Sequence, residues 1–151
     1  ADSGAAWRKT GAAGSRCSEG DVAGVIHCSD PKTGIDIYLG IGGAPEGVLA
    51  AAALRCIGGQ MQTRLIVDTE QLRERTLKMG IKDPKKKYAI DDMVKGDCLF
   101  SATGVTTGPM LQGVKFGKDV IETETVVMRS VTGTVRRVIG EHRQFDKFHI
   151  D

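Results

Sequence analysis

The sequence predicts an α/β protein built on a mixed, mostly parallel β-sheet, and two observations lead to that fold class. Residues 35–80 read in the order strand, helix, strand, helix, which favours parallel strands joined by a right-handed crossover. The second half carries β-branched runs that glycines separate, as expected for further strands joined by turns. The chain has 151 residues, the size of one domain, which buries about two thirds of its unfolded surface and needs no disulfide to fold.

The N-terminal part is predicted to enter the domain through an irregular segment and a short helix. Residues 1–18 are rich in Ala, Gly and Ser and show no apolar period, so we expect a loop or poorly ordered lead-in. Residues 19–151 then form the predicted α/β domain. Asp21 is placed to cap a helix that extends to about Cys28, with its aliphatic residues on one side.

A strand and a long helix follow, joined by a glycine-rich loop. Ile35–Leu39 is a short β-branched run, which predicts a buried strand. Pro45 suits the first position of a helix, because the N–H that proline lacks would have no partner there. The helix is expected to run from Pro45 to about Ile57, where Gly58 and Gly59 stop it.

The next two elements repeat this order. Arg64–Val67 predicts a second strand, because it is short and aliphatic. Thr69 is placed to cap a helix over Glu70–Met79, and Gly80 is expected to end that helix.

The second half of the chain changes character. Residues 82–87 predict a loop, and Ala89–Val94 predicts one or two helical turns. Three β-rich runs complete the set of predicted elements: Cys98–Val105, Val120–Ser130 and Thr134–Ile139.

Composition argues against several kinds of partner. The net charge is +2, and Lys85, Lys86 and Lys87 form the one basic cluster of the sequence, which we interpret as a solvated loop. Nucleic-acid binding needs a broader basic face with stacking aromatics, and the chain has one Trp, two Tyr and four Phe, so no nucleic-acid partner is expected. No membrane partner is expected either, since no apolar run approaches the roughly 20 residues of a membrane span.

The four cysteines and the N-terminus bear on the cell compartment. No CxxC pair occurs, so a zinc site is not supported. Cys28 and Cys56 lie on predicted apolar helix faces, where core packing is expected. Nothing indicates secretion, and we expect the reduced cytoplasm. The chain begins at Ala1 with no signal-peptide pattern, and we expect it to begin within a longer protein.

The loop before the long helix, GIGGAPEG at residues 40–47, carries the most informative pattern. Gly40, Gly42 and Gly43 let the backbone approach a ligand closely, since no Cβ intrudes. The helix N-terminus offers unpaired N–H groups and a partial positive charge, so phosphate binds there readily. Glu46 lies in the first helical turn, where a carboxylate either stabilises the helix by up to about 1 kcal/mol or binds Mg²⁺ or Mn²⁺ beside a phosphate.

Two further acidic positions leave alternatives open. The tripeptide at positions 19–21 is either a charged turn or a pair of carboxylates that accept hydrogen bonds from ligand hydroxyls. The glycine loop lacks the Lys of a Walker A motif, and Pro45 stands where a dinucleotide fingerprint has its third glycine. Asp68 ends the next predicted strand, about 20 residues on, where a ribose-binding acid would lie. A nucleotide-binding domain that uses Gly40–Gly47 and Asp68 therefore stays an alternative.

Four blocks of the sequence point together to one family. They are GDVAGVI at 20–26, GIGGAPEGVLAAAALRCIGGQMQ at 40–62, MVKGDCLFSATGVTTG at 93–108 and TVVMRSVTGTVRRV at 125–138. In this order, within residues 19–142, they strongly resemble the class II fructose-1,6-bisphosphatases of the GlpX type. The resemblance covers only the C-terminal half of that family.

The resemblance implies a layered α/β/α fold, that of one half of the lithium-sensitive sugar phosphatase superfamily. It implies hydrolysis of the 1-phosphate of fructose 1,6-bisphosphate with Mn²⁺ or Mg²⁺, as in gluconeogenesis, and some cyanobacterial members also take sedoheptulose 1,7-bisphosphate. By resemblance, Glu46 matches the family's metal-ligand glutamate and Gly43 a backbone contact to substrate. Glu19, Gly20 and Asp21 match its acidic substrate-binding tripeptide.

Three departures from the family pattern bear on activity. Glu19 replaces the first Asp of the usual Asp-Gly-Asp, and Thr107 replaces the Asp of the usual VTDG. The family's other metal-binding acids lie upstream of the matching blocks. We therefore expect a homo-oligomer or completion by a missing N-terminal half, and we expect the isolated 151 residues to lack full activity. A non-catalytic module that keeps the phosphatase fold is a further alternative.

Overall fold

In the computed structural model of this protein, residues 22–144 are described, and these residues form four α-helices and six β-strands. The helices are α1 (Val22–His27), α2 (Ala44–Ile57), α3 (Glu70–Lys78) and α4 (Ile90–Met93). The strands are β1 (Gln62–Arg64), β2 (Lys87–Ala89), β3 (Leu99–Thr103), β4 (Lys115–Phe116), β5 (Ile121–Arg129) and β6 (Thr134–His142). The predicted lead-in at 1–18 and the predicted cap Asp21 lie outside the described residues.

Helix α2 confirms the sequence prediction at both ends. Pro45 lies in its first turn, and Gly58 caps its C-terminus in the left-handed conformation, at φ +82°. The Gly58 N–H donates to the carbonyl of Leu54 at 2.9 Å, which satisfies one of the last carbonyls of the helix. The alanine-rich middle of α2 is buried, and small side chains there let the helix approach its neighbours closely.

The predictions for α3, α4 and the three C-terminal strands are also confirmed. The Thr69 side chain accepts a hydrogen bond from the Leu72 N–H at 3.2 Å and caps α3. Helix α4 lies within the predicted Ala89–Val94, and β3, β5 and β6 start within one residue of their predicted positions.

The prediction of a mostly parallel sheet is wrong for the described part of the chain. β3 and β4 pair along one edge of β5 and β6 pairs along the other, and every pairing is antiparallel. The short turn between β5 and β6 contains Gly133 at φ +58°, and such a tight connection permits only antiparallel strands. β1 and β2 form a separate antiparallel pair.

Two predicted strands account for that error. Ile35–Leu39 forms no regular strand, with a single bridge at Ile37, and the Leu39 side chain is 56% exposed. The strand predicted at Arg64–Val67 lies earlier, at Gln62–Arg64. The order strand, helix, strand, helix predicted over residues 35–80 therefore does not form. The two strands that flank α3, β1 and β2, pair antiparallel, so they do not make a parallel crossover.

The core lies between α2 and one face of the larger sheet. α1 packs against α2, and α2 packs against β3 and β5. The buried apolar residues at this interface are Ile26, Ala53, Cys56, Phe100, Leu111, Val126 and Met128. This packing fixes the direction of α2, and with it the position of the loop at its N-terminus. No helix within residues 22–144 has the length and apolar character that a membrane crossing requires.

Candidate phosphate and cation site

The glycine loop leads into an open helix N-terminus. Gly43 is the N-cap of α2, with extended backbone at φ −67° and ψ 156°, and it has no side chain to cap the first turn. Residues 39–46 are exposed. The N–H groups of the first turn thus face solvent next to the positive end of a 14-residue helix, which is the arrangement that binds phosphate oxygens.

Glu46 lies over this loop, and its carboxylate packs against the bare backbone of Gly43. The Glu46 carboxylate occupies the space that a Cβ on Gly43 would take. A side chain at position 43 would therefore displace the carboxylate from the loop. Gly43 and Glu46 are three residues apart, which is about one helical turn, so the Glu46 carboxylate lies next to the backbone of Gly43.

The glycines of the loop act through close approach and not through a left-handed backbone. Positive φ angles occur at glycines elsewhere in the described chain, and Gly40, Gly42 and Gly43 are not among them. At Gly40 a Cβ would lie 2.7 Å from the hydroxyl oxygen of Tyr38, so a side chain there would require the Tyr38 ring to shift.

The described residues alone do not make a complete metal site. Among residues 22–144, no group of three or more His, Cys, Asp or Glu side chains could hold a metal ion. Glu46 is a single exposed carboxylate, and Mg²⁺ is bound weakly by one carboxylate without further oxygen ligands. As one ligand among several, Glu46 does fit a hard divalent cation, since its carboxylate is accessible and adjoins a phosphate-binding helix terminus.

The predicted substrate-binding residues Glu19, Gly20 and Asp21 lie outside the described residues. They directly precede α1 in sequence, and α1 packs against α2. The nucleotide-binding alternative loses its structural basis in the described chain, because the strand expected before Gly40 does not form and no two strands are parallel. Asp68 precedes the cap of α3 and is exposed.

A second loop, between β3 and β4, contains one of the departures from the family pattern. The Gly113 N–H donates to the Thr107 hydroxyl at 3.1 Å, and the Val114 N–H donates to the Val105 carbonyl at 3.1 Å. A ring nitrogen of His27, at the end of α1, lies 3.3 Å from the carbonyl of Pro109. Because a hydroxyl oxygen accepts the same N–H that a carboxylate would, Thr107 supports the fold of this loop without an acid.

A pair of charged residues that the sequence reasoning missed fixes the same loop to the sheet. The Glu124 carboxylate accepts hydrogen bonds from the Gln112 N–H at 2.6 Å and from Arg137 at 3.0 Å. Arg137 also donates to the Met110 carbonyl at 2.7 Å. The Gln112 N–H, followed by Arg137, lowers the pKa of Glu124 below its ordinary value. The register of the β5–β6 hairpin, which follows from its short turn, is the signal that could have paired them.

The geometry thus defines a class: an α/β protein with a glycine loop at an open helix N-terminus and a carboxylate over that loop. Residues 5–142 match the family of bacterial fructose-1,6-bisphosphatases encoded by glpX. A D-fructose 1,6-bisphosphatase class 2/sedoheptulose 1,7-bisphosphatase of Synechocystis sp. is 38% identical over 148 residues, covering 89% of this chain and 43% of the relative. A fructose-1,6-bisphosphatase class 2 of Haemophilus influenzae is 38% identical over 146 residues, covering 87% and 44%.

The chain therefore belongs to the GlpX family of bacterial fructose-1,6-bisphosphatases. It spans less than half the length of these curated relatives, and the part that it matches is their C-terminal part.

Proposed function

We propose that this chain supplies the C-terminal part of the active site of a divalent-metal-dependent sugar bisphosphatase. The reaction is hydrolysis of the 1-phosphate of fructose 1,6-bisphosphate, in cytoplasmic carbohydrate metabolism. Membership of the family supports the reaction class. The observation that carries the proposal is the Glu46 carboxylate held over Gly43 at the open N-terminus of α2.

The chain's own residues have distinct parts in substrate binding under this proposal. The Gly43 backbone and the first-turn N–H groups of α2 bind phosphate oxygens, because they present donors and partial positive charge without a side chain in the way. Glu19 and Asp21, with Gly20 between them, accept hydrogen bonds from sugar hydroxyls and orient the substrate. Glu19 is one methylene longer than the usual aspartate, so its hydroxyl contact shifts. A second substrate, sedoheptulose 1,7-bisphosphate, fits the Synechocystis relative's name.

Glu46 is the residue of this chain that would hold Mn²⁺ or Mg²⁺. A divalent cation bound there supplies charge neutralisation at the phosphoryl group and activates water for attack. Glu46 itself holds a fixed negative charge next to the phosphate-binding amides, and without a cation that charge would repel the substrate phosphate. Because the amides attract the phosphate and the Glu46 carboxylate repels it, the loop should bind a phosphate that carries a divalent cation better than a phosphate alone.

Under this proposal further protein completes the site, because residues 22–144 alone hold no cluster of metal ligands. Exposed apolar side chains surround the glycine loop, with Leu39 at 56%, Ile41 at 77% and Leu49 at 52% exposure. Large apolar side chains exposed within ten residues of one another in sequence favour association of this face with other protein. The chain spans 43% of the Synechocystis relative, and we propose that the acids missing here come from a preceding N-terminal half or from another subunit.

The test is phosphate release from fructose 1,6-bisphosphate, with Mn²⁺, by the natural protein that contains this chain. Glu46→Gln keeps the shape of the side chain and removes its charge, and we expect at least a roughly hundredfold loss of kcat. Glu70→Gln is the matched control, because Glu70 is also an exposed carboxylate in the first turn of a helix, and kcat should stay within about twofold.

Two results would contradict the proposal. Equal turnover of Glu46→Gln and wild type would remove Glu46 from the site. A folded wild-type protein without any sugar bisphosphatase turnover would favour the non-catalytic module instead.

A further inference from the structure

Two cysteine sulfurs meet where the end of α2 packs on the start of β3. The Sγ atom of Cys56, in the last turn of α2, lies 3.7 Å from the Sγ atom of Cys98, one residue before β3. Both thiols are free. Each also contacts a backbone carbonyl across the interface, Cys56 that of Cys98 at 3.8 Å and Cys98 that of Ala52 at 3.7 Å. Two elements of the core therefore hold the sulfurs in van der Waals contact.

We propose that Cys56 and Cys98 form an oxidisable dithiol whose co-substrate is a small-molecule disulfide such as oxidised glutathione. A disulfide bond is about 2.05 Å long, so the sulfurs must move together by less than 2 Å. Neither sulfur belongs to the proposed phosphatase site, so the dithiol does not depend on the proposed function.

The surroundings of the pair give a reagent access to one sulfur. Cys98 is partly exposed, whereas Cys56 is 1% exposed. A cavity of about 280 Å³ is lined by Arg55, Asp97 and Ser130. Arg55 and Asp97 directly precede the two cysteines in sequence, and the Ser130 hydroxyl accepts the Cys98 N–H at 2.8 Å. Ser130 thus links this cavity to the Cys98 backbone, and the partly exposed Cys98 sulfur is the one that a small disulfide can reach.

The acidity of Cys56 sets the order of the two steps. Burial, followed by the hydrogen bond with Cys98, raises the pKa of the Cys56 thiol to about 11, and the Phe100 backbone, followed by the charge of Arg55, offsets this only in part. Cys56 is therefore protonated at neutral pH and is a poor first nucleophile. Cys98 is the sulfur that attacks first, since it is the accessible one.

The reaction balances as two thiol–disulfide exchanges. The Cys98 sulfur attacks oxidised glutathione, the glutathione S–S bond breaks, and one glutathione leaves with the proton of Cys98. Cys56 then loses its proton and attacks the Cys98 sulfur, and the second glutathione leaves with that proton. The protein dithiol is oxidised to a disulfide while one glutathione disulfide is reduced to two thiols.

The bond would tie α2 to the sheet at the end of the helix opposite Glu46. It would close the segment from Cys56 to Cys98, and a cross-link over about 40 residues is expected to raise Tm by roughly 10 °C. Reduction would return the dithiol, so the modification is reversible.

The experiment is incubation of the full chain with oxidised glutathione, followed by a non-reducing peptide mass map. We expect one disulfide-linked peptide pair that joins Cys56 to Cys98, and a Tm that rises and returns after reduction. In Cys56→Ser, Cys98 should stop at a stable mixed disulfide that carries one glutathione. In Cys98→Ser, position 56 should stay unmodified, because its thiol is buried.

Cys28→Ser is the matched control, since Cys28 is another partly exposed cysteine. It should form the same linked peptide pair as the wild type. The proposal is overturned when wild-type Cys98 stays at the mixed disulfide with glutathione, or when Cys98 pairs with a cysteine other than Cys56. The wild-type map decides this even where a serine variant fails to fold.

Discussion

The loop between β3 and β4 closes on its own backbone at Gly113, and a single methyl group there should destabilise the fold. A Cβ on Gly113 would lie 2.6 Å from the Thr107 nitrogen and 2.7 Å from the Thr106 carbonyl carbon. Both atoms belong to the backbone, so no flexible side chain can move aside. Gly113→Ala must therefore push apart the two arms of the loop and break the Gly113 hydrogen bond to Thr107.

The magnitude follows from those two effects. Forcing an extra methyl into a packed site costs about 1–3 kcal/mol, and a lost hydrogen bond costs about 1 kcal/mol more. The sum is about 2–4 kcal/mol of the free energy of unfolding. For a chain of this length each kcal/mol lowers Tm by about 2–4 °C, so Tm should fall by roughly 4–16 °C.

Gly108→Ala is the control in the same loop. A Cβ on Gly108 would have no atom within 4 Å, and its φ is not positive. Its effect should stay within about 0.5 kcal/mol. Calorimetric unfolding of both variants of the full chain decides the matter. Equal Tm values for Gly113→Ala and Gly108→Ala would refute the close packing of Gly113 against the backbone of Thr106 and Thr107.

Three further predictions concern the stability of the same chain. Glu124→Gln should lower Tm at pH 7. The pKa of Glu124 is lowered from its ordinary value of 4.5, so the ionised carboxylate stabilises the fold at every pH above 4.5. The Tm gap to wild type should narrow as pH falls below 4.5, and a constant gap would contradict the charge pairing. Burial raises the pKa of Cys56 from 9.0 to about 11. The difference in the free energy of unfolding between wild type and Cys56→Ala should therefore be largest below pH 9 and should decline as the pH rises toward 11. Denaturant titrations at pH 8 and pH 11 test this, and a difference that grows with pH would be the wrong sign. Gly58→Ala should cost about 1–2 kcal/mol, because Gly58 caps α2 at φ +82°; an unchanged urea midpoint would show that the cap does not need glycine.

The sequence allowed the helices to be predicted because their signals are local. The Gly58 stop of α2 and the Thr69 cap of α3 act within one turn of the chain, and each has the predicted hydrogen bond. Strand direction depends on partners that are far apart in sequence. The run Ile35–Leu39 has the composition of a buried strand, yet it pairs only through Ile37, so composition alone misled the topology.

The candidate site divides in the same way. The place of Glu46 in the first turn of α2 was predicted from local spacing, whereas the contact of its carboxylate with the backbone of Gly43 was not predicted. The Cys56 and Cys98 contact joins residues 42 positions apart, which only the packing of α2 on the sheet brings together. The pairing of Glu124 with Arg137 needs the hairpin register, which the sequence analysis did not work out.

The most direct test of the proposed role of Glu46 is the affinity of the natural protein for Mn²⁺ in the presence of inorganic phosphate. The paramagnetic resonance signal of free Mn²⁺ gives that affinity without any turnover. We predict that Glu46→Gln raises the apparent Kd at least roughly tenfold, while Glu70→Gln leaves it unchanged. The same Kd for Glu46→Gln and wild type would show that the carboxylate above the glycine loop does not bind the cation.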